Sequence, residues 1–397
     1  MSHVAEPPPA GDPDDDTAGK RKGRVKKRHT IARAVLATAV VLALATALSV
    51  VFLYRHYNGN LHVQDVKGAL GNDRPPATKV TGPKGPVNIL IMGSDDRDAP
   101  GDNIDNLTGA GKRSDTTILL HLAADRKHAY GVSIPRDSIV DRPSCLDDNG
   151  KQISGPAAQT MWNEAFNVGG PGCTIRQTEQ LTGIHIDHYV VVDFAGFRDM
   201  VDAIGGVETC IPETIDDRSH GIYIPAGTRK LVGQQALNYV RERYVVGNGS
   251  DIGRMKRQQS FIASMVHQVV SANTLANPLH LTRFLDAATK SLTLDPELGN
   301  LVKIAQLGVQ FRGIGLDKIQ FLTIPSIPAP SNPNRLIWAP TAKDVWREIR
   351  MDQPISKKFL GGVIKASHVT GGKSHNPSSS PSSDAAKQTA QENGLCA

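Results

Sequence analysis

Three motifs that would settle the chemistry quickly are missing. The 397-residue sequence has no H-E-x-x-H, no G-x-S-x-G and no C-x-x-C pair, so the zinc and serine-hydrolase readings drop. A Walker loop is absent too. Residues 106–113, NLTGAGKR, come near it, but Asn106 stands where the first glycine belongs and Arg113 where Ser or Thr should follow the lysine. No internal repeat is visible, and cysteine is limited to four positions. Charge is absent from Ala34 to Tyr54, and acid is absent from residues 20–33, which carry eight Lys or Arg.

The two charge gaps belong together. About 20 apolar residues at 1.5 Å rise match the roughly 30 Å hydrocarbon core of a bilayer. A cleaved signal peptide would have an apolar core of only about 7–15 residues. The run therefore reads as an uncleaved signal-anchor, a single transmembrane helix over 34–54, and the basic cluster before it puts the N-terminus in the cytoplasm. Nucleic acid is not an expected partner of that cluster. Residues 1–33 read as a disordered basic tail, 55–86 as a Pro- and Gly-rich extracytoplasmic linker, 87–365 as the folded domain and 366–397 as a disordered polar tail. Outside the cytoplasm the cysteines can oxidise. Cys145 and Cys173 lie in turn-like surroundings suited to a bridge, whereas Cys210 follows a strand-like run and reads as a small buried residue, and Cys396 sits in the tail.

Within the folded part, VNILIM (87–92), TTILLHL (116–122), AYGVSI (129–134) and IDHYVVV (186–192) are short apolar runs bounded by Gly, Asp and Pro, as buried strands should be. Helical spacing follows in FAGFRDMVDAIGG, with Gly205 as a stop, and in GRMKRQQSFIASMVHQVV. A late strand, KIQFLTIP, and a closing helix, TAKDVWREI, complete an α/β layered domain.

Arg and Asp residues collect at the ends of these strands. Asp95 and Arg97 follow the first strand, and Arg136 and Asp137 follow another. If the strand at 116 runs antiparallel to that at 87, Arg113 and Asp115 reach the same edge, where open α/β sheets bind ligands. Each pair alone has a bland reading as a loop ion pair of little energetic consequence. A second cluster places Arg254, Lys256 and Arg257 in the first turn of a helix, against the macrodipole. Arg254, Arg257 and Gln258 share a face that continues into Phe261 and Met265. Arg241 and Arg243 close the preceding helix, where C-terminal capping is the bland role. Together the guanidinium groups suit a ligand with several phosphate oxygens, and the carboxylates suit Mg²⁺, or Mn²⁺, bound alongside it. His185 and His188 read as strand residues with satisfied side chains.

The ordered set NILIMGSDDR, RSDTTILLHLAAD, SIPRDSIV, MWNEAFNVGGPGC, IDHYVVVDFAGFRDMVDAIGGV, IPAGTRKLVGQQALNYVRERY and SDIGRMKRQQ, over roughly 87–272, resembles the LytR-CpsA-Psr family. The resemblance implies a three-layer α/β/α domain with a mixed central sheet, an apolar channel for a lipid tail and a membrane-anchored phosphotransferase facing outward. It implies transfer of a glycopolymer from a polyprenyl-pyrophosphate carrier to peptidoglycan or another wall acceptor, with metal at Asp115 and Asp95. Pyrophosphate would be held by Arg113, Arg136, Arg241, Arg243, Arg254, Arg257 and Gln258. The catalytic set is then Asp95, Arg113, Asp115, Arg136 and Asp137, with Asp95 or Asp137 open as the proton acceptor. Met161, Trp162 and Ile252 depart from the family pattern. A pyrophosphatase using water, and a non-enzymatic envelope-binding or regulatory protein, are the alternatives.

Overall fold

Apolar, β-branched runs that cannot sit at a surface on either side must be covered on both, and the central strands are built that way. The computed structural model describes residues 23–80, 84–96, 112–242, 244–247, 249–270, 277–311 and 313–367, with 388, 391, 395 and 396 near the C-terminus. The expectations for residues 1–22, for Arg97 and for most of 366–397 lie outside the described residues. The chain divides into two units, Met1–His56 and Tyr57–Ala397.

In the first unit the helix α1 (Gly23–Asn60) extends beyond both ends of the apolar run. Its apolar side chains, Leu36 and Leu48 among them, are exposed all round. From His29 it is long and apolar enough to cross a membrane, and a helix apolar on every side calls for lipid or protein around it.

The second unit is centred on an eight-stranded mixed sheet. In chain order its strands are β1 (His62–Val63), β2 (Val87–Asp96), β3 (Lys112–Leu122), β4 (Ala129–Ile134), β5 (His188–Asp193), β6 (Leu292–Leu294), β7 (Ile319–Thr323) and β8 (Ile364–Lys365). Their spatial order is β1-β6-β5-β2-β3-β4-β7-β8. The pairs β2–β5 and β4–β7 are parallel, while β2–β3 and β3–β4 are antiparallel. The period of two sends Leu90, Met92 and Leu119 to one face, where they meet Trp162, Phe166, Ile175 and Trp346. That layer is made by α2 (Lys67–Leu70), α3 (Glu164–Thr182) and, later in the chain, the helix Ala342–Arg350. The other face receives α4 (Phe194–Ala203), α5 (Gly233–Arg241), α6 (Asp251–Val270), α7 (Pro278–Ser291) and α8 (Leu301–Phe311).

Three expectations change. The linker 55–86 is not a spacer throughout: Tyr57, Val66, Ala69 and Leu70 are buried, β1 pairs with β6, and Arg74 bonds Glu179 at 2.6 Å. Four apolar side chains without a period, set among Pro and Gly, gave no signal of packing. The strands β2 and β3 continue through Asp95 and Arg113, so these residues lie inside a paired ribbon rather than beyond it. Cys145 and Cys173 are bonded as anticipated, but Cys210 is bonded to Cys396. The strand Val207–Ile211 buries Val207, Thr209 and Ile211, so alternation leaves Cys210 on the more open side, within reach of the tail.

Candidate functional site

The site begins with an irregularity in pairing. Gly93 opposes Thr116 and Ser94 opposes Ser114, which leaves Asp115 as the extra residue of a β-bulge. A bulge re-aims a side chain against the strict alternation of a strand. Here Asp115 and Thr116, consecutive in sequence, both line the same cavity, while Ser114 and Thr117 turn to the opposite side, their hydroxyls 3.5 Å apart. Trp162 holds that rear side, its Nε1–H donating to Thr117 Oγ1 at 3.1 Å. The departure at Trp162 therefore has a structural role behind the bulge.

Asp115 meets Arg136, which follows the C-terminal end of β4. Arg136 Nη1 donates to Asp115 Oδ1 at 2.6 Å, and its Nε lies 3.7 Å from both Asp137 and Asp251. Burial would push the Asp115 carboxyl up, but Arg136, Arg254 and Arg241 together outweigh it and hold it below the usual carboxylate range. Burial would likewise lower Arg136, and Asp115 and Asp251 more than reverse that. The pair is thus kept charged at neutral pH.

From this cluster a cavity of about 1120 Å³ runs between the sheet and its helices, slightly larger than the roughly 300–1,000 Å³ of ordinary ligand pockets. Its polar end carries Asp115, Asp193, Arg241, Arg254 and Gln258. The rest is apolar, walled by Ile118, Leu120 and Phe321 of the sheet, by Phe197 and Met265, and by α8. Gly131 makes room for that wall, since a Cβ there would lie 2.5 Å from the Phe321 ring. The guanidinium of Arg241 stands 4.9 Å above the ring of Phe194, a cation–π contact that fixes its position at the mouth.

The expected residues separate here. Asp115, Arg136, Arg241, Arg254 and Gln258 are brought to the cavity end. Arg257 is buried but does not line it, because its guanidinium donates to the Glu242 carbonyl. Gln258 Nε2 donates to the Val240 carbonyl at 3.0 Å. Asp137 is held by Arg335 at 2.6 Å and does not line the cavity. The side chains of Asp95 and Arg113, and all of Arg243, lie outside the described residues, although the backbones of Asp95 and Arg113 face each other in the ribbon. His185 bonds the Pro75 carbonyl and His188 bonds Asp295. Lys256, off the shared face, donates to the Gly362 carbonyl, and burial brings its ammonium down to about 8.

Two residues were missed. Asp251 opens α6 and bonds Arg254 at 2.5 Å, which offsets much of the dipole conflict expected of the cations. An acid ahead of a helical run is a start signal that could have found it. Asp193 ends β5 and caps α4, accepting from Gly196 N at 2.6 Å. Burial pushes its carboxyl up.

The metal reading can be tested on these donors. Among the described residues no three His, Cys, Asp or Glu side chains converge as a ligand set. Asp251 Oδ2 is buried without a hydrogen-bond partner, and Asp251 and Asp115 flank one arginine. That donor set fits a cation such as Mg²⁺, which takes one or two carboxylates and completes its shell with phosphate oxygens and water.

Comparison with known proteins agrees with this architecture. The LytR_cpsA_psr family model matches residues 53–345. The cell wall biosynthesis protein LcpA of Corynebacterium glutamicum is 33% identical over 330 residues, which cover 75% of this chain and 60% of LcpA. This chain thus spans three fifths of that relative's length. The polyisoprenyl-teichoic acid–peptidoglycan teichoic acid transferase TagV of Bacillus subtilis is 28% identical over 316 residues, covering 77% of this chain and 74% of TagV. The crystal structure of B. subtilis TagV superposes with a TM-score of 0.52 at 27% identity, over 69% of this chain and 100% of the other. With the family model matching well over half its length, the chain belongs to the LytR-CpsA-Psr family.

Proposed function

We propose that this chain is a phosphotransferase that moves a glycopolymer, as its glycosyl phosphate, from a polyprenyl-pyrophosphate carrier to peptidoglycan or another cell-wall acceptor. One observation carries the reading: a long apolar cavity ends in a cluster of arginines and carboxylates. The two halves match the two halves of a lipid pyrophosphate. The name of TagV, a transferase of polyisoprenyl-linked teichoic acid to peptidoglycan, supports it.

Arg241 and Arg254, already fixed by Phe194 and Asp251, neutralise pyrophosphate oxygens, with Arg136 behind them. Arg113 and Arg243 join them on the strength of the family motif. The acceptor oxygen forms a bond to the glycan-bearing phosphorus as the bond to the bridging oxygen breaks, and polyprenyl phosphate leaves. Positioning and charge stabilisation supply most of the acceleration in such transfers. Asp137 is engaged by Arg335 and Arg136, which argues against it as acceptor of the hydroxyl proton. Mg²⁺ or Mn²⁺ would be held by Asp115 and Asp251, with Asp95 from the motif, and when bound supplies further neutralisation of the pyrophosphate. The helix α1 anchors the chain, and the basic residues before it place the N-terminus in the cytoplasm and the domain outside.

The test reconstitutes the full chain in vesicles with a polyprenyl-pyrophosphate-linked, radiolabelled glycan and peptidoglycan. Label should enter peptidoglycan, stop on chelation and resume with Mg²⁺. Phosphate release without label in peptidoglycan would instead indicate a pyrophosphatase, and no turnover at all a binding protein.

A further inference from the structure

The helix α8, LVKIAQLGVQF, is unusual for its surroundings: it carries one charge, Lys303, and none of its residues is buried. Val302 is 49% exposed and Val309 66%, and Leu279 at the start of α7 is 56% exposed. Val302 and Val309, seven residues apart, share one face of α8, and large exposed apolar side chains gathered on one helix mark a site of contact with another apolar body.

Two further observations identify that body. Tyr57, Asn58 and Asn60 follow the apolar run by only a few residues, and all three are fastened to α7 and α8. The Leu301 N–H donates to Asn58 Oδ1 at 2.9 Å, Asn60 Nδ2 donates to Asp286 at 3.2 Å, and the Tyr57 hydroxyl donates to the Thr282 carbonyl at 3.3 Å. The apolar helix thus starts beside the residues that immediately succeed the membrane-spanning sequence. Secondly, Ala305, Gly308 and Val309 both line the cavity and are exposed, so the cavity's apolar end opens at α8.

We propose that α8, with Leu279, is a membrane seat: an interfacial helix whose apolar residues enter the outer boundary of the bilayer, so that the cavity opens onto lipid instead of water. A lipid surface fits because a short tether holds the domain there and because α8 sets the exposed apolar Val302, Ala305 and Val309 on one side, beside the polar Lys303, Gln306 and Gln310, the two-faced pattern of an interfacial helix. The identity of the chain that enters through this opening rests on the proposed function, whereas the seat itself does not.

The full chain carrying Val309→Trp is reconstituted in phosphatidylcholine vesicles with and without brominated acyl chains. Ile153→Trp, at an exposed position that packs beside α3 on the other side of the sheet, is the control. Bromolipid should quench the emission added by Val309→Trp and leave that added by Ile153→Trp unchanged; equal quenching, or none at Val309→Trp, overturns the seat. A second variant, Leu279→Glu with Val302→Glu, touches neither the cavity lining nor the cluster. It should lower transfer from a vesicle-embedded long-chain donor about tenfold or more, with the thermal midpoint and transfer from a short-chain water-soluble donor unchanged. Loss with both donors, or with neither, overturns the proposal. Quenching at Val309→Trp together with no transfer by the unsubstituted chain would uphold the seat and count against the proposed function.

Discussion

Replacing Asp115 by Asn keeps the shape of the side chain and removes its charge, which makes it the sharpest probe of the cluster. The lost partner is a charge-assisted hydrogen bond from Arg136 at 2.6 Å, and such bonds contribute about 1.5–3 kcal/mol. For a unit of this size that is a fall in Tm of about 2–6 °C at neutral pH. The sign with pH follows from the direction of the shift. Asp115 has a folded value below its unfolded value, the latter about 3.9, so its stabilisation is complete above the unfolded value and is lost as pH falls through the folded one. The gap in Tm between wild type and Asp115→Asn should therefore be widest from pH 7 to 5 and close as pH drops below 4. Calorimetry across that range, down to the last pH with a cooperative transition, measures it. Transfer by the variant should fall about 10²-fold or more, as when one preorganised group facing a developing charge is removed. Full transfer, or a Tm gap that does not change with pH, would refute the placement of Asp115 as a charged partner of the arginines.

The remaining expectations follow from the same packing. Cys145→Ser with Cys173→Ser opens a 28-residue separation and should cost about 3–4 kcal/mol in urea denaturation. Non-reducing peptide mapping should recover Cys210 joined to Cys396, and a free thiol at either would contradict the bridge. Arg241→Ala should weaken binding of a polyprenyl-pyrophosphate analogue by about 10- to 100-fold, one charge-assisted contact, without lowering Tm by more than a degree or so. Gly131→Ala would put a Cβ 2.5 Å from the Phe321 ring, so it should cost about 1–3 kcal/mol of stability and shorten the longest carrier analogue the protein binds.

Much of the domain could be read from local pattern because its elements obey one period at a time. The strands at 87, 129 and 188 are apolar on both faces, since helices cover the sheet on each side. Gly205 and Gly206 end α4 at positive φ, as a stop signal should. The spacing of Arg254 and Gln258 put both at the cavity end, and their neighbour Ile262 continues the wall. Arg257 shared that spacing but answers to Glu242, a partner fixed by the turn between α5 and α6. Val66, Ala69 and Leu70 gave no signal because their burial depends on α3, about a hundred residues away in sequence.

By itself the sequence determined what depends on composition and short-range period: a membrane-length apolar run behind a basic cluster, an α/β domain, and a supply of Arg and Asp at the strand ends. Tertiary structure alone decided which of those residues meet. The extra residue in β3 turns Asp115 toward the cavity, a matter of register between two strands that neither strand specifies alone. The pairing of Cys210 with Cys396 joins positions 186 residues apart. The cavity itself exists because five helices from separate parts of the chain stand over one sheet face without filling it, and an unfilled volume leaves no mark in any local stretch of sequence.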